Sequence, residues 1–235
     1  MIPRRPQALL FDLDDTLWPI GPVIAAAEQS WHAWLAERAP EVTARYSIAE
    51  LRARRLALLA EQPALGIDLY RVRELVLADV FAELGADAAH LDGAMAHFTA
   101  ARNAVTLYDD VLPVLPELKS LLRLGVITNG NADLEVIGLH HHFEVALSSA
   151  RFGRSKPDPS IFLSACAAMG VAPEHAIYVG DDLRLDVAGA QSAGMRAVWL
   201  KRAGAHAELD PRITPDAICA DFHQLLAWIK PLMAE

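Results

Sequence analysis

Ala8-Leu9-Leu10-Phe11-Asp12-Leu13-Asp14-Asp15-Thr16 is the stretch on which the fold turns. A short apolar run leads straight into a cluster of carboxylates. Such a run, ended by polar residues, is the pattern of a strand buried on both faces of a parallel sheet. Asp12, Asp14 and Asp15 then lie just past its carboxyl end, where open α/β sheets bind their ligands. Carboxylates this crowded repel one another and destabilise the fold unless a cation neutralises them. A loop that merely caps backbone amides does not account for that crowding.

Outward from this stretch, three further apolar runs repeat the pattern. Gly125-Val126-Ile127 precedes Thr128-Asn129-Gly130, and Ala176-Ile177-Tyr178-Val179 precedes Gly180-Asp181-Asp182. The last run is Ala197-Val198-Trp199-Leu200. Helical periodicity is read at 113–122, 159–169 and 183–193, with stops at Gly170 and Gly194. Strands alternating with helices predict an α/β domain with a mostly parallel sheet and right-handed crossovers.

From about Gly21 to Arg102 the alternation ceases and helix follows helix. Ile24, Ala27, Trp31 and Leu35 share one face of the first. Ser47 and Glu50 form a capping-box signature ahead of the second, and Leu69, Val72, Val76 and Val80 line a third that stops at Gly85. The block is too long for a crossover. It reads as an all-helical domain over 19–104, inserted into an α/β core built from 1–18 and 105–235.

Composition narrows the class. The chain has 235 residues, 53% of them hydrophobic and 22% charged, as in an ordinary globular protein. No apolar run approaches the roughly 20 residues of a membrane span. The N-terminal Met1-Ile2-Pro3-Arg4-Arg5-Pro6 leads into aspartates, which is not how a signal peptide continues. Cys166 and Cys219 stand far apart and imply no disulfide framework, so a reducing cytoplasm is expected. The net charge of −9 argues against a nucleic-acid partner. The one basic cluster, Arg52-Ala53-Arg54-Arg55, is read as a solvated helix face. His140-His141-His142 is read as a loop or helix end rather than a metal site, and Cys166 as core packing.

The strand ends of a parallel sheet converge, so Asp12, Asp14 and Asp181 are expected around one site. Oxygen ligands without a Cys or His cluster favour a hard cation, and Mg2+ suits phosphate chemistry best. The ligand spacing of an EF-hand loop is absent. Lys156, in Ser155-Lys156-Pro157-Asp158-Pro159, sits on a segment stiffened by prolines just before a helix.

These four pieces, in this order, resemble the haloacid dehalogenase-like hydrolase superfamily. The resemblance runs through Phe11-Asp12-Leu13-Asp14-Asp15-Thr16-Leu17, Ile127-Thr128-Asn129-Gly130, Ser155-Lys156-Pro157-Asp158-Pro159-Ser160-Ile161-Phe162 and Val179-Gly180-Asp181-Asp182 on through Asp186 to Met195. It implies a Rossmann-like core and a helical cap over the site. It makes Asp12 the nucleophile of an aspartyl-phosphate mechanism and Asp14 the general acid and base. Magnesium is then held by the Asp12 and Asp181 carboxylates and the Asp14 backbone carbonyl. Thr128 and the Asn129 amide bind the phosphoryl group, Lys156 neutralises Asp12 and the phosphate, and Asp186 orients ligands from behind. Asp15 and Asp182 are left between metal support and capping, with capping preferred for Asp15.

The expected function is a magnesium-dependent phosphatase acting on a small-molecule phosphate monoester, as a monomer or homodimer. Leu17-Trp18-Pro19 together with Ile127 to Asp133 resembles the branch that hydrolyses flavin mononucleotide and 5-amino-6-(5-phosphoribitylamino)uracil. Three alternatives remain open: a sugar-phosphate mutase, a 2-haloacid dehalogenase, and a non-catalytic phospho-accepting module. Dehalogenation does not need the acid at Asp14, and receiver-like modules lack an insertion of this length. Trp18, Trp31 and Trp34 are read as core and hinge packing, the other reading being a ring that stacks on a flat substrate.

Overall fold

This computed structural model describes residues 5–203 and 210–234, so Met1 to Arg4 of the N-terminal stretch read above lie outside the described residues. The first strand, β1 (Ala8–Phe11), is completely buried. The chain then turns tightly and enters a run of helices: α1 (Ile20–Arg38), α2 (Pro40–Arg45), α3 (Ile48–Glu61), α4 (Leu69–Leu84) and α5 (Leu91–Arg102). Both bonds of the Ser47–Glu50 capping box are made at the start of α3. Asp68 caps α4 through the amides of Tyr70 and Arg71, and Gly85 ends it with φ 67°, a conformation glycine adopts without steric cost.

Ala27, Trp31 and Leu35 of α1 pack with Leu51, Val80, Phe81, Met95 and Phe98 in one apolar cluster. Two expectations need correction here. Leu69 is exposed rather than on the packed face, because it is the first residue of α4, immediately after the Asp68 cap. The basic cluster is only partly a solvated face. Arg52 is exposed and Arg54 half-buried, but Arg55 is buried. Arg52 and Arg55 both donate to the buried Glu28 of α1, which needs cationic partners once withdrawn from water. Arg73 lies 3.4 Å over the Phe98 ring nearby.

After the helices come α6 (Val111–Leu121), β2 (Arg123–Thr128), β3 (Val145–Ser148), α7 (Pro159–Ala168), β4 (Ala176–Gly180), β5 (Arg196–Leu200), β6 (Ala217–Cys219) and α8 (Phe222–Ala234). The six strands form one parallel sheet in the order β3-β2-β1-β4-β5-β6, a doubly wound Rossmann-like arrangement. The helix expected over 183–193 is present, opening as a wide π-helical turn, Leu183–Ala188, and continuing as α-helix over Gly189–Ser192. The amides of Asp186 and Val187 both donate to the Asp182 carbonyl, which opens that turn. Cys166 is buried in the core beside the sheet, among Phe162, Ala165 and Met169.

Strand order reverses at β1, which lies between β2 and β4. Phe11 is in register with Val126 on one side and Val179 on the other. Asp12 therefore emerges level with Ile127 and Gly180, and Thr128 and Asp181 follow one residue later on their own strands. A crevice at such a switch point is where this sheet class binds ligands.

The chain divides into two compact units. One comprises Met1–Pro19, Thr106–Gly130 and Leu134–Glu235 and holds the sheet. The other comprises Ile20–Val105 and Asn131–Asp133 and holds α1 to α5. Within the helical unit, Asn131 donates to the Asp68 carboxylate at 3.2 Å, and the Asp133 amide to the Asn103 side chain at 2.9 Å. Among the described residues no helix is long and apolar enough to cross a membrane.

Candidate active site

Lys156 organises the carboxyl edge of the sheet. Its Nζ donates to Asp12 Oδ1 at 2.5 Å, to Asp186 Oδ1 at 2.7 Å and to the Tyr178 hydroxyl at 3.0 Å. An ammonium has three protons, so each has an acceptor within the protein. The Tyr178 hydroxyl in turn donates a hydrogen bond to the Ile127 carbonyl at 2.8 Å. Lys156 is 4% exposed and Asp186 1%, whereas Asp12 keeps 7%. A buried ion pair of this kind is tolerable only when its hydrogen-bonding capacity is met, as it is for Lys156 and for both oxygens of Asp186.

Asn129 sets the height of the lysine. Its side-chain amide donates to the Lys156 carbonyl at 3.0 Å, and its side-chain oxygen accepts from the Lys156 amide at 2.8 Å. The two bonds clamp the backbone ahead of Pro157. The Asn129 side chain is thereby committed to the Lys156 backbone. Thr128 Oγ1 accepts from the Gly130 amide at 2.9 Å, which leaves the hydroxyl hydrogen to donate.

Asp186 reaches this group because residue 180 has no side chain: a Cβ there would fall on the Asp186 carboxylate. The other Asp186 oxygen accepts from the Asp182 amide at 3.0 Å. The Asp182 side chain caps the following turn through the amides of Arg184 and Leu185, both at 2.7 Å. The Asp181 carbonyl accepts from the Trp199 indole at 2.7 Å, fixing the backbone beneath its side chain.

Ligand oxygens of Asp12, Asp181 and Asp186 lie within 4.8 Å of one another. Burial, then the charges of neighbouring aspartates, push the Asp181 carboxyl up to about 8. Burial raises Asp12 to about 7 against the pull of Lys156, with Asp186 and Asp14 adding to the rise. Burial also opposes the Lys156 charge, but Asp12 and Asp186 hold its pKa well above the usual lysine value. One ammonium among this many carboxylates leaves a deficit of positive charge. An all-oxygen donor set fits a hard divalent cation. The three histidines form a single exposed to half-buried turn, His140–His142, and belong to no such ligand group among the described residues.

Asp14 is turned toward Trp18, whose indole donates to Asp14 Oδ1 at 2.9 Å. Asp15 adopts φ 59° and its amide donates to the Trp18 carbonyl at 2.8 Å, so it forms the corner of the turn. Trp18 is fully buried and Trp31 nearly so, and neither offers a ring face for stacking. Behind the loop, Arg202 holds the Thr16 carbonyl at 2.9 Å and both oxygens of Asp110 at 2.8 and 2.7 Å. Asp110 also accepts the Phe222 amide, the first of α8, at 2.6 Å.

Sequence reading missed Tyr178, the Trp18 indole, Arg202 and Asp110. Only Tyr178 left a signal: a phenol inside an apolar strand must find a partner for its hydroxyl.

The geometry has close parallels. The family model for haloacid dehalogenase-like hydrolase matches residues 6–194. The chain is 33% identical over 201 residues to the 5-amino-6-(5-phospho-D-ribitylamino)uracil phosphatase YigB of Escherichia coli, covering 84% of each chain. It is 32% identical to the glyceraldehyde 3-phosphate phosphatase of Methanopyrus kandleri, covering 89% of this chain and 90% of that one. Among solved structures, a 2-haloacid dehalogenase from Pseudomonas syringae pv. Tomato superposes with a TM-score of 0.86 at 36% identity, over 97% of this chain and 98% of that one. With the family match spanning most of its length and the strand-end carboxylates gathered around one lysine, this chain belongs to the haloacid dehalogenase-like hydrolases.

Proposed function

We propose that the chain is a magnesium-dependent phosphatase that hydrolyses a small phosphate monoester through a phosphorylated Asp12. The observation that carries this reading is the grouping of Asp12 with Lys156, Asp181 and Asp186 at one sheet edge, with a second carboxylate at Asp14. The unit holding the sheet serves as the catalytic core, and the helical unit as its cap.

Lys156 fixes the rotation of the Asp12 carboxylate and offsets its charge, so the nucleophile is aimed before substrate arrives. An Asp12 oxygen attacks phosphorus, the ester O–P bond breaks, and Asp14 gives a proton to the departing alkoxide. Asp14 then takes a proton from the water that attacks the aspartyl-phosphate, releasing phosphate and restoring Asp12. Thr128 Oγ1 and the Asn129 amide donate to the phosphoryl oxygens, where charge stabilisation does most of the work. The Asp12 and Asp181 carboxylates and the Asp14 carbonyl, with Asp186 behind them, would hold magnesium, which would supply compensating positive charge.

For substrate we favour flavin mononucleotide or 5-amino-6-(5-phosphoribitylamino)uracil. Support comes from the motif around Trp18 and Thr128 and from the Escherichia coli relative named for the second compound. The enzyme is placed in the cytoplasm, as a monomer or homodimer. The Pseudomonas syringae neighbour raises dehalogenation as a second reading. Asp14 and the carboxylates near Asp181 favour the phosphatase, because displacement of halide needs neither a general acid nor a cation. The test is turnover of para-nitrophenyl phosphate with magnesium and with EDTA, followed by a panel of metabolite phosphates and a 2-haloacid. Magnesium-dependent phosphate release with flavin mononucleotide well ahead of hexose phosphates is expected. Halide release without phosphate release would overturn the reading.

A further inference from the structure

The carboxylate assigned as general acid is held by a neighbour four residues along the chain. Trp18 Nε1 donates to Asp14 Oδ1 at 2.9 Å, and the indole ring is fully buried. The turn between them is rigid. The amides of Thr16 and Leu17 both donate to the Leu13 carbonyl, at 3.2 and 2.7 Å, and the Asp15 amide donates to the Trp18 carbonyl at 2.8 Å. Asp15 stands at φ 59°, a left-handed corner that aspartate tolerates better than most residues. Arg202 braces the same turn through the Thr16 carbonyl. A buried ring on so constrained a backbone has one direction in which to point its N–H.

The terminal torsion of an aspartate is broad and two-fold, so an unheld carboxyl samples many orientations and can carry its proton on either oxygen. An N–H donor facing one oxygen removes that freedom. We propose that Trp18 is a positioning residue for Asp14: its indole N–H anchors Oδ1 and fixes the rotation of the carboxyl that delivers a proton to the leaving group. This rests on Asp14 being the general acid proposed above. In the step concerned, the Asp12–phosphorus bond forms, the ester O–P bond breaks and the Asp14 carboxyl proton passes to the alkoxide. Trp18 keeps its own proton throughout.

A tryptophan that only fills space would, when replaced, weaken turnover of every ester alike. A positioning residue acts selectively, because an alkoxide needs a proton to leave and a dinitrophenolate does not. The quantity to compare is kcat/KM, which covers events up to leaving-group departure. It is measured with magnesium on the full chain, for glycerol phosphate and for 2,4-dinitrophenyl phosphate. The proteins are wild type, Trp18→Phe, Asp14→Asn and the double variant. Trp18→Phe is expected to lose about 10- to 100-fold on the alkyl ester, the range for one hydrogen bond to a charged group. Its activity on the activated ester should change by about twofold or less, and in the Asp14→Asn background the second substitution should add no more than that on the alkyl ester. Equal losses on both esters, or an undiminished loss without Asp14, would overturn the proposal and leave Trp18 as packing. If Asp14→Asn itself lowers both esters equally, the acid assignment fails and the proposal falls with it, a result distinct from Trp18 failing alone. Should Trp18→Phe not fold, benzothienylalanine at position 18 replaces the N–H by sulfur at nearly constant shape and carries the same comparison.

Discussion

Lys156 Nζ and Asp12 Oδ1 lie 2.5 Å apart across 144 residues of sequence, and the same nitrogen bonds Asp186. Replacing Lys156 by Met keeps the stem and removes the charge. Two buried carboxylates then lose their counter-ion, which costs about 3–5 kcal/mol where such a pair is broken. The expected outcome is loss of phosphatase activity by about 10³-fold or more together with a fall in Tm. Steady-state kinetics and a thermal melt of the same preparation check both.

Asn129 holds the lysine's backbone from both sides. Asn129→Ala strands an amide and a carbonyl in a largely dry place, at about 1–3 kcal/mol for each group left without a partner. The Asn129 backbone amide survives the change. The drop is therefore expected in kcat, as Lys156 loses its aim, with KM for substrate altered by less than threefold or so. A KM rise with unchanged kcat would instead place the side chain on the phosphate.

Gly180→Ala puts a methyl where the Asp186 carboxylate stands. Overpacking at a tight site costs about 1–3 kcal/mol, and here the residue displaced is an ion-pair partner of Lys156. Calorimetry should show weaker magnesium binding and a lower Tm. Leu163→Ala, at an exposed position, should show neither.

The crowded carboxyls give a pH signature. Asp12 at about 7 and Asp181 at about 8 are both raised from 3.8, so between about pH 4 and 8 the folded chain holds more protons than the unfolded one. Stability from these groups therefore falls as pH rises through that window, and the loss is complete above it. In EDTA, Tm should decline from pH 5.5 to 8.5. Magnesium should raise Tm more at pH 8.5 than at 5.5, by at least about 3 °C, the shift given by roughly 1 kcal/mol in a chain this size. Replacing both aspartates by Asn should flatten the difference.

What could be read from the sequence follows burial. β1, β2, β4 and β5 are covered on both faces, so they stand out as apolar runs, and the polar groups at the ends of β1, β2 and β4 announce the site. β3 and β6 escaped notice because they are short edge strands with half-exposed patterns. Asp12, Lys156, Asp181 and Asp186 were legible as residue types at strand ends and before a helix. The clamp between Asn129 and Lys156 was not, since its partners are backbone atoms 27 residues away. The partner of Arg55 was equally hidden: Glu28 lies on another helix, and a basic stripe reads as surface until a buried carboxylate is found opposite it.

Asp110 gives the last helix a hold on the first loop. Its carboxylate receives the opening amide of α8 and the guanidinium that steadies Thr16. Deleting α8 would strip that carboxylate of one of its donors and uncover the Phe222 side of Arg202. Shortened versions of the protein would thus be impaired far from the cut, and an inert truncation product should not be taken as evidence that the residues of α8 bind anything.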